Sequence, residues 1–382
     1  MSLYLSFKEI WRNKGRFFLF SLVIALITFL VLFTAGLGEG LASANKEYLE
    51  KLNAQLLVFQ EDVNYSTIES RLEYNVLKKV RRWDGIADAG AIGFSNVSLS
   101  LPAGEGALDV SLIGVEPGKP GSPPVFTGEE IKTKRAKVAV IDARIARQSG
   151  LEVGDVLTIK STQGTEEESY ELRVAGITEG RQYFFQPSMF VSLQVWDDVR
   201  PKAKTTNASA ALIPSVIAVR LEDPAALESM ANFLETRVDG IEVTDIRTAY
   251  ESAPGYAEQQ STLNTMKGFT FLIGVLVIGG FFQIQTLQKV PQIGMLKAIG
   301  TPNRAVALAA ILQIILVTLF GVALGGLSTF GLALGLPEGI PVLFTGTSII
   351  TAIVALLLIG PIGGMVSIRL ALKVEPLTAL GM

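Results

Sequence analysis

Residues 17–36 read FFLFSLVIALITFLVLFTAG, twenty positions in a row without a charge. A membrane helix needs about 20 mostly apolar residues to cross roughly 30 Å of hydrocarbon, so this stretch reads as a span. Three more uncharged apolar runs lie toward the C-terminus, near residues 268–287, 305–336 and 348–368. Residues 38–267, between the first run and the second, have ordinary soluble composition and hold 24 of the 33 bases and 33 of the 36 acids. The expected fold class is an α-helical membrane protein with four transmembrane helices, one plus three, and a large α+β extracytoplasmic domain between the first and second.

Composition agrees with this reading and narrows the chemistry. Of 382 residues, 49% are apolar and only 18% charged, with a mean hydropathy of +0.41, against about 25% charged in a soluble chain. There is no Cys and no His, which excludes disulfides, thiolate nucleophiles, a Ser-His-Asp triad and imidazole metal sites. A net charge of −3 argues against a nucleic-acid partner. No phosphate loop of the form G-x-x-x-x-G-K-[ST] occurs, since the run Gly294–Thr301 lacks the Lys. The expectation is a non-catalytic chain with no intrinsic cofactor.

Basic residues near the spans set the orientation. Lys8, Arg12, Lys14 and Arg16 precede the first span, Lys289, Lys297 and Arg304 lie between the second and third, and Arg369 and Lys373 follow the fourth, with only Glu9 and Glu375 among them. That side is read as cytoplasmic, termini included, in a multi-pass protein of the cell membrane. The boundaries follow: 1–16 an amphipathic elbow helix, 17–37 the first span, 38–267 the outer domain, 268–288 the second span, 289–304 a cytoplasmic loop, 305–336 the third span, 337–347 an outer turn, 348–368 the fourth span and 369–382 a cytoplasmic tail. Ala42-Ser43-Ala44 imitates a secretory cleavage site, but an apolar run of 20 residues exceeds a signal core of about 7–15, and GLASANKEYLEKL after it reads as continued helix.

Leu3, Phe7, Ile10 and Trp11 fall on one helical face flanked by the four bases, the pattern of a helix lying in the headgroup layer or of a plain orientation signal. The loop KVPQIGMLKAIGTPNR is the most informative stretch. Ile293, Leu296 and Ile299 or Gly300 share one side of a short helix that Gly300 and Pro302 end. Two readings stay open: a docking surface for a soluble partner, or a helix whose apolar side packs back onto the membrane.

KVPQIGMLKAIGTP resembles the R-E-I-G-x-L-K-A-x-G-A signature of the MacB/FtsX-type permeases of ABC exporters, in which this segment is the coupling helix that meets the ATPase. SFKEIWRNKGRFFLF is similar to that family's basic elbow and LALKVEPLTALGM to its tail, while Val290-Pro291-Gln292 stands where the family has Arg-Glu. The resemblance implies that Gln292, Ile293, Gly294, Leu296, Lys297 and Gly300 couple to a separate ABC ATPase that binds ATP and Mg. It also implies a homodimeric permease served by two ATPase copies, surrounded by membrane lipids, and working with an adaptor or another extracellular partner.

Strands in the outer domain are expected at Leu56–Gln60, Val97–Leu101, Leu108–Val115, Val138–Ile141, Val156–Lys160, Tyr170–Ile177, Phe184–Leu193 and Val216–Leu221. Helices are expected at Leu41–Leu52, Thr67–Trp83, Asp142–Ser149, Pro224–Val238 and Ala249–Lys267, with the domain split into two lobes and with loops at Pro117–Gly128 and Arg200–Ala211. Gly321 with Gly325, Gly331 with Gly335, and the glycines around Pro361 are small-residue pairs suited to close helix contact.

No charge inside the spans marks an ion path, so an amphiphilic or hydrophobic substrate is expected, entering sideways from the outer leaflet. FKEIWRNKGRF, LFTAGLGEGL, TLQKVPQIGMLKAIG and KVEPLTALG resemble haem-efflux permeases of the HrtB kind, with glycolipid-exporter permeases of the DevC kind sharing much of the pattern. Haem as substrate would need an axial ligand from Tyr, Glu, Met or Lys. The candidates are Tyr183 beside Phe184 and Phe185, Glu39 after the first span, and Glu258 and Met266 before the second. Each also has a plainer reading: Tyr183 as a strand aromatic, the two Glu as solvated or capping acids, Met266 as core. Other substrates in view are a lipid, a glycolipid or an antimicrobial peptide. The competing function is an FtsX-like relay that regulates an extracellular partner and transports nothing.

Overall fold

The computed structural model describes residues 14–101, 106–202, 212–336, 340 and 342–373. Nearly all of the elbow (1–13), most of the tail (374–382), part of the outer turn and residues 203–211 therefore lie outside the described residues. The chain divides into two compact units, one of residues 1–41 and 259–382, the other of residues 42–258.

The first unit is helical. It contains most of α1 (Lys14–Glu50) and α7 (Tyr256–Gln288), and all of α8 (Val290–Ala298), α9 (Asn303–Gly335) and α10 (Gly346–Lys373). Helices α1, α7 and α9 are each long and apolar enough to cross a membrane, and α10 carries a shorter apolar stretch at Ile349–Met365. Every one has two apolar faces. One packs inward as a core of Phe17, Ile24, Ile278, Phe282, Ile314 and Ile359, among others; the other stays open, as at Leu26, Leu276, Leu327 and Leu358. Water would not tolerate so much open apolar surface, and lipid requires it. Of the glycine pairs, Gly321 and Gly325 face α1, where a Cβ on Gly325 would stand 2.5 Å from the Ala25 carbonyl oxygen, whereas Gly331 and Gly335 have open space.

Between α1 and α7 the second unit runs β1 (Leu56–Gln60), α2 (Tyr74–Val80), β2 (Ile86–Ser100), β3 (Ala107–Val115), β4 (Thr127–Gly128), β5 (Val138–Asp142), α3 (Ala143–Ser149), β6 (Val156–Gln163), β7 (Glu166–Thr178), β8 (Gln182–Tyr183), β9 (Gln186–Ser192), α4 (Leu193–Val199), β10 (Val216–Leu221), α5 (Leu227–Arg237), β11 (Ile241–Asp245) and α6 (Ile246–Glu251). The strands form one connected sheet rather than two separate lobes, in the order β11-β1-β10-β2-β3-β9-β5-β7-β4. Because β6 pairs with both β2 and β7, the six strands β2, β3, β9, β5, β7 and β6 close a hydrogen-bonded circuit, with β3–β9 and β5–β7 parallel. Alternation sorts the residues to two faces: Leu56, Val58, Leu99, Leu112 and Ile141 enter one core, and Leu57, Phe59, Ile113, Val140 and Phe190 enter another with Tyr48, Leu49 and Leu52.

Several elements differ from expectation in the structure. The helix expected over Ala249–Lys267 is interrupted between α6 and α7 at residues 252–255, where Gly255 holds φ +82°. The helix expected over Thr67–Trp83 exists only at Tyr74–Val80. Upstream, Ser70 donates to the Ser215 carbonyl at 2.6 Å and the Leu72 N–H to the Pro214 carbonyl at 2.9 Å, long-range bonds that hold the segment out of a helix, and the Ser66 hydroxyl accepts from the Glu69 N–H at 3.3 Å, a local bond that competes with one. The strand expected over Phe184–Leu193 is broken at its start by a two-residue hairpin turn, with Phe184 and Phe185 at φ +51° and +65°. The first half of β2, IADAGAIGFSN, is Ala- and Gly-rich and has weak strand propensity. Its Gly93, with Gly114 of β3, is needed because Trp196 covers both, and a Cβ at either would approach the Trp196 side chain to within about 2.5 Å.

Candidate functional site

Helix α8 starts with Pro291 in its first turn, where a missing N–H costs nothing, and ends at Gly300 (φ +94°), whose N–H donates to the Lys297 carbonyl at 2.9 Å. Its two lysines are tied into the helical unit. Lys289 donates to Gln313 Oε1 at 3.2 Å and stands 5.9 Å from the Phe17 ring centroid, and Lys297 Nζ donates to the Leu372 carbonyl at 2.8 Å. These ties turn Gly294 inward and leave Ile293 and Lys297 half-buried. The open face is Gln292, Met295 and Ile299, the last 79% exposed, instead of the expected Ile293–Leu296 side; the Leu296 side chain lies outside the described residues.

A cleft of about 340 Å³ opens among α1, α7 and α10 within the same unit. Its walls are apolar, with Ala35, Phe271 and Ile359 among them, and they are interrupted by Thr34, Thr270, Thr351 and Lys267. The threonine hydroxyls donate to their own helices, Thr34 to the Leu30 carbonyl at 2.7 Å, Thr270 to that of Met266 at 2.8 Å and Thr351 to that of Thr347 at 2.9 Å, so they present spare lone pairs. Lys267 has no carboxylate partner among the described residues. An apolar cleft with a single cation among its described lining residues suits an amphiphilic anion. Lys267 was not singled out in the sequence; its position immediately before an uncharged span is the signal that could have found it.

The four haem-ligand candidates divide between the units. Glu39, half-buried on α1, and Met266, 46% exposed on α7, belong to the helical unit, while Tyr183 and the exposed Glu258 belong to the outer one. Tyr183 is buried among Phe94, Tyr48 and Phe184, its hydroxyl shares a hydrogen bond with Thr67 Oγ1, and its carbonyl accepts from Ser111 at 2.9 Å. Burial pushes its phenol up to about 12, which disfavours the phenolate that iron would take. Among the described residues no group of three or more Asp or Glu could hold a metal ion.

Residues 17–237 match the family model of the MacB-like periplasmic core domain, and residues 264–376 that of the FtsX-like permease C-terminal region. The chain belongs to the MacB/FtsX-type family of ABC permeases. The permease is 26% identical over 377 residues to a protein of Staphylococcus haemolyticus named as the hemin transport system permease HrtB, covering 99% of both chains. A protein of the same name from Staphylococcus epidermidis is 23% identical over 380 residues, again covering 99% of both. The solved periplasmic region of MacB from Actinobacillus actinomycetemcomitans superposes with a TM-score of 0.36 at 12% identity, over 52% of the permease and 92% of that chain. Family and apolar helices together make the permease a membrane protein with a large extracytoplasmic domain, a transporter subunit whose family works with an ATPase.

Proposed function

We propose that the permease exports haem, or an anionic amphiphile like it, from the membrane, driven by a separate ATPase. The observation that carries this is the cleft among α1, α7 and α10: apolar on its walls, with Lys267 as the single cation among its described lining residues. Haem is a planar apolar ring with carboxylates at one edge, and full-length relatives named for hemin transport favour it over lipid, glycolipid or peptide. Met266 and Glu39, both in the helical unit but neither among the described lining residues of the cleft, are the axial-ligand candidates we retain; Glu258 is the reserve.

In this reading four helices span the membrane, both termini are cytoplasmic, and two copies of the chain pair over two ATPase subunits. The ATPase, which binds ATP and Mg, docks on Gln292, Met295 and Ile299, with Ile293, Gly294 and Lys297 holding that helix in place; Leu296 and Gly300 belong to the same coupling segment. Chemistry in the permease itself is limited to binding and release. Motion of α1 and α7 is relayed along these continuous helices to the outer domain; a FtsX-like relay without transport would use the same helices.

The test is an absorbance titration of the full chain in lipid nanodiscs with haemin. A saturable Soret shift is expected, weakened at least tenfold by Lys267→Ala and altered in spectrum by Met266→Ala or Glu39→Ala. No shift above empty nanodiscs, or one unchanged in the triple variant, contradicts the reading and leaves the relay.

A further inference from the structure

The outer unit has a second cavity, of about 300 Å³, far in sequence from the helices that form the cleft. Its walls are aromatic: Phe94, Tyr183, Phe184 and Trp196 line it. Two arginines, Arg71 and Arg200, share the lining with them, and among the described residues no acid does. The Trp196 indole is fixed by its N–H to Ser95 Oγ at 3.0 Å, and the Arg200 guanidinium sits 5.1 Å from its ring centroid.

Charge around this cavity is unbalanced. Arg200 pairs with Asp197 at 2.8 Å, but Lys202 takes the same carboxylate at 3.4 Å. Arg71 has only the Ile68 and Ser70 carbonyls for its guanidinium and no carboxylate among the described residues. Burial first, and then the charge of Arg200, holds Arg71 below its ordinary value, so the two cations feel one another across the site. The Asn96 side chain, also in the lining, is exposed.

The backbone is bent to complete the wall. Phe184 enters it from the two-residue turn in which it and Phe185 both hold positive φ, positions that hairpins normally give to Asn or Gly. Bulky side chains persist in that region only when something over-determines them, most often a functional site.

We propose that the outer domain binds an aromatic anion here, its ring against Phe94, Phe184 and Trp196 and its carboxylate on Arg71 and Arg200. Guanidinium forks match a carboxylate in two-point contact, and aromatic walls select a flat apolar body. The volume admits a bicyclic carboxylate, or the carboxylate edge of a larger planar amphiphile, but sits at the small end for ligand pockets, roughly 300–1,000 Å³. The inference does not rest on haem export through the membrane cleft.

The experiment is equilibrium dialysis of 2-naphthoate against the full chain in lipid nanodiscs, with empty nanodiscs as blank. Saturable uptake of one equivalent per chain is expected, at least tenfold weaker for Arg71→Gln and for Arg200→Gln, and at least tenfold weaker for the neutral 2-naphthamide on the unaltered chain. The amide comparison needs no variant, so misfolding of Arg200→Gln, which also loses its Asp197 pair, cannot decide the result. Competition by protoporphyrin IX would support the edge of a larger amphiphile, and its absence a free small carboxylate. No saturable uptake, equal uptake of acid and amide, or uptake unchanged in the double variant overturns the proposal. The haemin Soret shift and naphthoate uptake are read on the same variants, the first weakened by Lys267→Ala and the second by Arg71→Gln, so this site and the cleft fail or succeed separately.

Discussion

Tyr183 and Asp245 show how single groups divide between packing and function. Tyr183 offers its hydroxyl to Thr67 inside a cluster of rings. Tyr183→Phe therefore leaves the buried Thr67 hydroxyl unpaired and is expected to destabilise the outer domain by about 1–3 kcal/mol, seen as a lower melting temperature, without changing the haemin Soret shift; a lost Soret shift would return Tyr183 to the ligand list. Asp245 caps α6, accepting from the Arg247 N–H at 2.8 Å, the Thr248 N–H at 3.0 Å and the Thr248 hydroxyl at 2.6 Å. Burial opposes its ionised form, but these bonds outweigh it and hold the carboxyl below its ordinary 3.8. A depressed carboxylate stabilises the fold above its unfolded value and ceases to do so as pH falls through its folded one. Asp245→Ala is thus expected to cost about 1 kcal/mol at neutral pH. The deficit of Asp245→Asn should shrink as pH drops below the ordinary value, and thermal melts showing a deficit constant with pH would contradict the account.

At the scale of elements, the helical unit depends on which glycines meet a neighbour. Gly325→Ala forces a Cβ onto the Ala25 carbonyl oxygen, backbone that cannot turn aside, whereas Gly331→Ala meets nothing. The first is expected to destabilise by about 1–3 kcal/mol, as overpacking does, and to lower the yield of folded protein in detergent. The second is expected to be silent in the monomer, so a loss there would mark Gly331 as a contact between copies. The sequence marks both pairs alike, because spacing identifies a small-residue stripe but not the helix opposite it. The long apolar helices were legible for the converse reason: a run of 20 uncharged residues has few other places to go. In the outer domain, strands rich in Val, Leu and Ile were readable, and the Ala- and Gly-rich half of β2 was not, its identity being fixed by Trp196 lying over it. Helix α8 was legible as a helix. Its open face was not, since Lys289 and Lys297 reach Gln313 and Leu372, partners distant in sequence.

For the whole molecule, near-neutral net charge conceals a division that both the orientation and the proposed mechanism use. Bases crowd the segments beside the apolar helices, and acids dominate residues 38–267. The His-free composition leaves an exported haem only oxygen, thioether or amine ligands, which suits a substrate that must be released. If α1 and α7 relay motion to the outer domain, joining the Leu41–Leu52 segments of two copies through introduced Cys pairs should stop transport while the partner's ATP hydrolysis continues. Free transport across the link would rule the relay out. Haem export, as proposed, draws on energy delivered through the open face of α8. Its most direct measurement is ATP-dependent transfer of haemin to external apomyoglobin from proteoliposomes holding the chain and its ATPase, with Ile299→Asp alongside. Transfer is expected to require ATP and to fall at least tenfold in Ile299→Asp while haemin binding is retained. Transfer independent of ATP, or undiminished in Ile299→Asp, would contradict the proposal.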